Sequence, residues 1–408
     1  MFYPLYIDPG TGSALFSILI AGAATVYFIA RAFIIKLKVF FSGGKAVATA
    51  THAFVIYCEE KQYCNVFKPV IDEFERQEKE VLYLTSAEDD PVFSSSYRFV
   101  KSEFIGKGNK AFARLNFLSA DIVLLTTPGL DVYQLKRAKT VKHYAHVLHM
   151  PCDATLYRIF GLDYFDSVLL SGDYQAVDIR TLEKLRDLPN KELITVGCPY
   201  LDVAAEKIIS IPPEQNHPFT VLVSPSWGAS ALLSKYGERL LTPLIKTGWR
   251  IIVRPHPQSQ KSESALLSAL TEQYKNEKNL IWNYDRENIY ALAKADIMIS
   301  DFSGVIFDYV FLCDKPVMYI NEHFDMRPYD ADDLGEDAAE KLWQFRVLKE
   351  IGIELKESMF EAIGDYIKNA SDSEDLRIAR KRAKDTAWQY HGEAGRRIAE
   401  FMISKSQS

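Results

Sequence analysis

From Ala46 onward, short apolar runs alternate with amphipathic stretches, and that alternation constrains the fold more than any other feature of the chain. AFVIYC (53–58), EVLYLT (80–85), DIVLLTT (121–127), HYAHVLH (143–149) and SVLLSG (167–172) have the length and composition of buried strands. Helical stretches such as VFKPVIDEFERQEK (66–79) lie between them. A second series follows the proline-containing link ISIPPEQNHPF (209–219): TVLVSPS (220–226), RIIVRPHP (250–257), LIWN (280–283), ADIMISD (295–301) and PVMYI (316–320), again separated by helical stretches. Strand–helix alternation builds parallel sheets covered by helices. The 408 residues suffice for two such domains and an appendage. The expected α/β architecture is therefore two Rossmann-like domains facing a cleft, over residues 46–210 and 211–408. The second is closed by a helical tail (355–404), and ligand is expected at the strand C-termini.

Ahead of this body, Ala14 to Ala30 carry no charge. With Thr11 to Ser13 the stretch has about twenty residues, which at ~1.5 Å each just spans a ~30 Å hydrocarbon core. Asp8 precedes the run and Arg31, Lys36, Lys38 and Lys45 follow it, the reverse of a cleaved signal peptide. By the positive-inside rule the residues after the run face the cytoplasm. Residues 1–45 are thus expected to form one N-terminal transmembrane helix and a juxtamembrane stretch, AFIIKLKVFF (32–41), lying among inner-membrane lipid with its lysines snorkelling. The expected location is the cytoplasmic membrane, single-pass, with the catalytic body on the cytoplasmic side.

Composition removes other classes. With 48% hydrophobic and 25% charged residues the chain is not disordered. A net charge of −6 supplies no basic field for nucleic acid. Cys58, Cys64, Cys152, Cys198 and Cys313 include no CxxC pair, which speaks against both a disulfide framework and a thiolate zinc site and fits a reducing compartment.

Three stretches can carry chemistry. In ADIMISDFSGVIFDYVFLCDKPVMY (295–319) a strand ends at Ser300-Asp301 and a helix begins just after Ser303-Gly304. A helix start offers unpaired N–H groups and a dipole that favour a phosphate. Asp308, further along, is placed to accept from hydroxyls. Asp301 and Ser303 would also serve simply as helix caps. In RIIVRPHP a strand delivers Arg254 and His256, the first a forked phosphate donor and the second a donor or proton carrier near neutrality. In HYAHVLHMPCD (143–153) strand alternation places His143 and His149 on one face and His146 on the other, which does not assemble a metal site. His149, at the strand exit, is the better candidate for a general base. Asp89-Asp90 and the acidic run Asp330 to Asp333 read as solvated loop charge. No GxxxxGK[ST], GxSxG or HExxH pattern occurs.

Together LHMPCD, VSPSW, RPHP and SDFSGVIFDYVFLCDKPVMY resemble, in order and spacing, the CDP-glycerol:poly(glycerophosphate) glycerophosphotransferases of teichoic acid biosynthesis, over roughly residues 140–400. The resemblance implies a glycosyltransferase B-type (GT-B) fold and an enzyme. It would move glycerol phosphate, or a similar polyol phosphate, from CDP-glycerol or a related CDP-polyol to a hydroxyl on a cell-envelope glycan or lipid-linked acceptor. It also implies two essential histidines, by position His149 and His256. His149 would take the acceptor proton, while His256 and Arg254 stabilise charge on the phosphates. Ser300, Asp301, Ser303 and Gly304 would hold the pyrophosphate, with Asp308 on ribose or the donor alcohol. Neither a metal ion nor a cofactor is called for. The chain departs from the family pattern at Leu148-His149-Met150, where the family has Trp-His-Gly, and at Gly304, where it has a second serine. Gly304 is similar to the Asp-Ser-Gly of UDP-N-acetylglucosamine 2-epimerases. The alternatives are a GT-B glycosyltransferase using a nucleotide sugar and a catalytically inactive, membrane-tethered binding module.

Overall fold

The computed structural model describes residues 51–321 and 324–407, which form one compact unit. The anchor expected over residues 1–45 lies outside the described residues. Among the described residues no helix is long and apolar enough to cross a membrane.

Two parallel sheets organise the body. The first comprises β1 (His52–Cys58), β2 (Val81–Thr85), β3 (Val100–Phe104), β4 (Ser119–Leu125), β5 (Thr140–Val147), β6 (Ser167–Leu170) and β7 (Glu192–Thr195), in the order β3-β2-β1-β4-β5-β6-β7. The second comprises β8 (Thr220–Val223), β9 (Arg250–Val253), β10 (Leu280–Trp282), β11 (Ile297–Ser300), β12 (Val317–Tyr319) and β13 (Gly352–Glu354), in the order β10-β9-β8-β11-β12-β13. In each, the chain starts mid-sheet, winds outward, then returns to the other side of its first strand. The winding direction reverses between β1 and β4 and between β8 and β11, and such switch points open a crevice at the strands' carboxyl ends.

Alternating side chains explain why central strands read as unbroken apolar runs. Val55, Tyr57, Val123 and Leu125 pack into a core on one face of the first sheet; Phe54, Ile56, Ile122 and Leu124 pack into another on the opposite face. The edge strands β3, β7 and β13 were not expected from the sequence.

The tail also departs from expectation. The last helix, Ala394–Ser406, does not close the second domain; Ile398, Phe401 and Met402 join the core of the first sheet. The crossing is fixed by Asp202, which accepts from Trp388 Nε1 (2.8 Å), the Gly392 amide (2.8 Å) and the Ala394 amide (3.1 Å). Glycine is needed at 395, because a Cβ there would lie 2.4 Å from the Pro69 carbonyl oxygen.

Two aspartates expected to be solvated are buried instead. Asp90 accepts from Thr85 Oγ1 (2.8 Å) and the Val92 amide (3.0 Å). Asp330 accepts from the Phe160 amide (2.7 Å) and from Arg186 (2.7 Å), which also donates to Asp163 (2.8 Å) and Asp333 (2.6 Å). This cluster ties the segment after β12 to the first domain. Removing Arg186 strands two buried carboxylates, a change that costs about 3–5 kcal/mol. Arg186→Leu is therefore expected to lower stability by that much in urea unfolding. Arg382→Ala, which breaks an exposed pair with Glu350, is expected to cost under about 1 kcal/mol.

Candidate active site

A cavity of about 1200 Å³ lies between the two sheets' carboxyl ends. Asn65, Lys68 and Tyr97 line it from the first domain; Arg254, His256, Ser303, Gly304 and Asp308 line it from the second. Its size suits a nucleotide-sized ligand together with part of a second substrate.

His256 follows the end of β9, between Pro255 and Pro257. The Gln258 amide donates to its Nδ1 at 3.1 Å. Nδ1 is therefore the acceptor, and the neutral ring carries its proton on Nε2 as a free donor. Burial holds the imidazole below its ordinary pKa, which keeps it neutral at pH 7. Trp227, from the turn after β8, packs near it with ring centroids 6.3 Å apart.

Arg254 is buried and already engaged. Its guanidinium donates to the Asn283 side chain and to the Asp285 carbonyl at 2.7 Å. It holds the segment after β10 against the cavity rather than offering both arms of its fork to a phosphate.

The Ser-Asp-x-Ser stretch divides into two parts. Ser303 and Gly304 line the cavity at the start of the helix Val305–Cys313. Ser300 and Asp301 do not, which corrects their expected place around a pyrophosphate. Both are fully buried. Ser300 donates to the Ser224 carbonyl (2.6 Å), and Asp301 accepts from the Ser226 amide (2.9 Å) and the Leu232 amide (2.9 Å). A carboxylate removed from water needs such donors, and these shape the loop after β8 and cap the helix that follows it.

Asp308 sits one turn into the helix Val305–Cys313. Its Oδ2 accepts from Tyr200 Oη (3.1 Å) and Asn288 Nδ2 (3.5 Å), while Oδ1 is buried without a hydrogen-bond partner among the described residues. Burial pushes its pKa up to about 7. An orphaned carboxylate oxygen on a cavity wall is a group a ligand hydroxyl would satisfy. Tyr200 and Asn288 also line the cavity, and no sequence pattern marked either.

His149 stands beside the cavity: Met150 is in the wall and His149, only slightly exposed, is not. Nδ1 lies 2.9 Å from Thr126 Oγ1 and 3.1 Å from Tyr157 Oη. Thr126 gives its own proton to the Val147 carbonyl at 2.8 Å, so it accepts from His149 Nδ1–H. Tyr157 then donates to His146 Nε2 at 3.1 Å. This assignment leaves His149 Nε2 as a bare acceptor. Burial lowers its pKa to about 4. The expected sharing of a face by His143 and His149 does not hold. β5 ends at Val147, so His149 turns toward His146 and Tyr157, while His143 bonds Ser167 (2.7 Å) and packs on Phe401.

The two departures from the family pattern meet in space. A Cβ on Gly304 would lie 2.6 Å from Met150 Cε, so the methionine occupies the place a serine side chain would need. Gly304→Ser alone is expected to displace Met150 and cost about 1 kcal/mol of stability. Adding Met150→Gly should recover most of that loss. A double-mutant cycle on Tm checks this, with strict additivity as the contrary result.

Among the described residues no group of three or more His, Cys, Asp or Glu is arranged to hold a metal ion. All five cysteines are free thiols.

A family model described as CDP-Glycerol:Poly(glycerophosphate) glycerophosphotransferase matches residues 178–400, more than half of the chain. The chain belongs to that family. It is an enzyme of the CDP-glycerol glycerophosphotransferase type, on an α/β fold of GT-B kind. The match spans Arg254, His256 and the stretch from Ser300 to Asp308 but begins after His149. No curated protein matches the chain. The solved wall teichoic acid polymerase TagF is 14% identical with a TM-score of 0.56, covering 87% of this chain and 89% of that one. A TagF variant soaked with CDPG is 12% identical with a TM-score of 0.53, covering 87% and 88%. The UDP-GlcNAc 2-epimerase of Methanocaldococcus jannaschii, in complex with UDP-GlcNAc and UDP, is 12% identical with a TM-score of 0.57, covering 86% and 99%. At such identities these likenesses speak to the fold alone.

Proposed function

We propose that this glycerophosphotransferase-type enzyme moves glycerol phosphate, or a similar polyol phosphate, from a CDP-activated donor to a hydroxyl on a cell-envelope glycan or lipid-linked polymer, releasing CMP. In this reading residues 1–45 anchor it in the cytoplasmic membrane, with the body facing the cytoplasm where nucleotide-activated donors are found.

The observation that carries the reading is the convergence, in one cavity, of a neutral His256 with Nε2–H free, the helix start at Ser303-Gly304, and the orphaned oxygen of Asp308. The helix start would hold the diphosphate through its dipole and the amides of Gly304 and Val305, since those of Ile306 and Phe307 already donate to the Ser303 and Gly304 carbonyls (3.2 and 3.0 Å). Asp308 would accept a hydroxyl of ribose or of the polyol. The acceptor oxygen attacks the phosphorus that bears the polyol, and a new P–O bond forms. The bond from that phosphorus to the bridging oxygen breaks, and CMP leaves with the electron pair. His149 Nε2 would take the acceptor proton, and His256 Nε2–H would stabilise the charge gathering on phosphate oxygens. Arg254 acts by holding the 283–286 segment. No metal ion enters these steps.

Donor choice tests the reading. CDP-glycerol or CDP-ribitol should raise the Tm of the full chain, and UDP-N-acetylglucosamine should not. Stabilisation by the UDP-sugar alone would move the assignment to a nucleotide-sugar glycosyltransferase, for which the GT-B fold is equally suited.

A further inference from the structure

We infer that His146 is a positioning residue for the transfer: by accepting the Tyr157 proton at Nε2 it keeps that proton off His149, and so leaves the lone pair of His149 Nε2 free to act as the base. This role depends on His149 serving as the general base, as proposed above.

Tyr157 Oη stands between two imidazoles, 3.1 Å from His146 Nε2 and 3.1 Å from His149 Nδ1. A phenol has one proton, so between two neutral rings it donates to one and accepts from the other. Two arrangements satisfy that rule. In the first, His149 is protonated on Nδ1, Tyr157 donates to His146, and His149 Nε2 is bare. In the second, His146 donates from Nε2 and Tyr157 donates to His149 Nδ1. The His149 proton is then on Nε2, and no base remains.

The neighbouring groups pull in opposite directions. Thr126 Oγ1 is 2.9 Å from His149 Nδ1 and spends its own proton on the Val147 carbonyl. The second arrangement would set two lone pairs against each other there, so Thr126 favours the first. His146 Nδ1 is buried without a hydrogen-bond partner among the described residues. The first arrangement puts the His146 proton on that nitrogen, and a buried N–H with no acceptor is tolerated less well than a bare acceptor. With these contacts opposed, the His149 tautomer turns on His146 accepting at Nε2.

The surroundings of His146 keep it able to accept. The ring is fully buried, with the Phe165 ring 5.0 Å and the Tyr157 ring 5.2 Å away, centroid to centroid. Burial holds its pKa well below the ordinary value, so it stays neutral. A doubly protonated His146 would accept nothing and would turn the Tyr157 proton onto His149. The first arrangement also suits the charged state of the base. Once His149 has taken the acceptor proton, its Nδ1–H faces two oxygens, Thr126 Oγ1 and Tyr157 Oη, that both accept.

The test uses the full chain in detergent. His146→Leu leaves Tyr157 only His149 Nδ1 of its two partners. It should lower kcat for transfer from CDP-glycerol at least about tenfold, since a catalytic imidazole in the wrong tautomer loses up to about 10⁴-fold. His146→Gln keeps a side-chain carbonyl acceptor and should retain more of the rate than His146→Leu. Adding Tyr157→Phe to His146→Leu removes the misdirected proton and leaves Thr126 to hold Nδ1–H, so the double variant should be faster than His146→Leu alone. A role in packing only predicts the reverse. An unchanged rate in His146→Leu, or a double variant no faster than the single one, would overturn the inference. Imidazole nitrogen NMR near neutral pH, with the His149 signals assigned by His149→Gln, reads the tautomer without turnover. Nδ1 should be protonated in the unsubstituted chain and Nε2 in His146→Leu; a protonated Nε2 in the unsubstituted chain would overturn the inference. If CDP-glycerol supports no transfer, the reading of the reaction falls, while the nitrogen spectra still decide what His146 does.

Discussion

His256→Ala is expected to reduce transfer about 10³-fold while shifting Tm by no more than a few degrees. The size follows from the assigned tautomer. With the Gln258 amide on Nδ1, the ring has one donor left, and His256 lines the cavity. A preorganised donor aimed at developing charge is worth about 10²–10³ in kcat. Little stability is at stake, because the ring is only half-buried and its Nδ1 bond is to an amide that water would replace. The loss should fall on kcat more than on donor affinity, since the interaction strengthens as charge develops. His256→Asn keeps a side-chain N–H and should recover part of the rate. A His256→Ala enzyme retaining a tenth or more of wild-type turnover would remove His256 from the chemistry.

The second large effect concerns His149. His149→Ala is expected to lower the rate about 10²–10⁴-fold, the span attributed to a positioned general base. Its pKa, lowered by burial to about 4, sets the pH dependence. Protonation places a hydrogen on Nε2 and removes the base, so kcat/KM should fall on the acid side, with a limb near pH 4 rather than near 6.5. The negative phosphates of a bound donor favour the imidazolium, so the limb in kcat should lie higher than the limb in kcat/KM. Thr126→Val removes the acceptor that holds the proton on Nδ1. It should lower the rate about tenfold by letting the other tautomer form. An acid limb at 6.5 in kcat/KM, or a Thr126→Val enzyme with unchanged rate, would contradict the assignment.

How far the sequence revealed this architecture depended on burial. The central strands of both sheets were legible because both faces are covered, so AFVIYC and the Ile297-Met298-Ile299 run read as apolar without interruption. Three of the four edge strands were not. VKSEF, ELIT and GIE each sit at the side of a sheet with polar or partly exposed positions, and such segments carry no strong period. The cavity residues Arg254, His256, Ser303, Gly304 and Asp308 were legible as strand exits and a helix start. What local pattern could not tell is direction. Ser300 and Asp301 belong to the same motif as Ser303 yet face the interior, because the β8 loop supplies the amides Asp301 needs. The partners of His149 are likewise remote, with Thr126 on the exit of β4 and Tyr157 beyond the next turn, and only the assembled sheet brings them together. The last helix was misplaced for a related reason: its apolar stripe does not name its partner, and the turn held by Asp202 carries it onto the first sheet.

The most direct test of the central claim is CMP release from CDP-glycerol by the detergent-solubilised full chain, with and without membrane lipid extract and with EDTA. The account predicts release that depends on the lipid extract, persists in EDTA and is lost in His256→Ala. Turnover of a UDP- or CMP-sugar with no CMP release from CDP-glycerol or CDP-ribitol would contradict it.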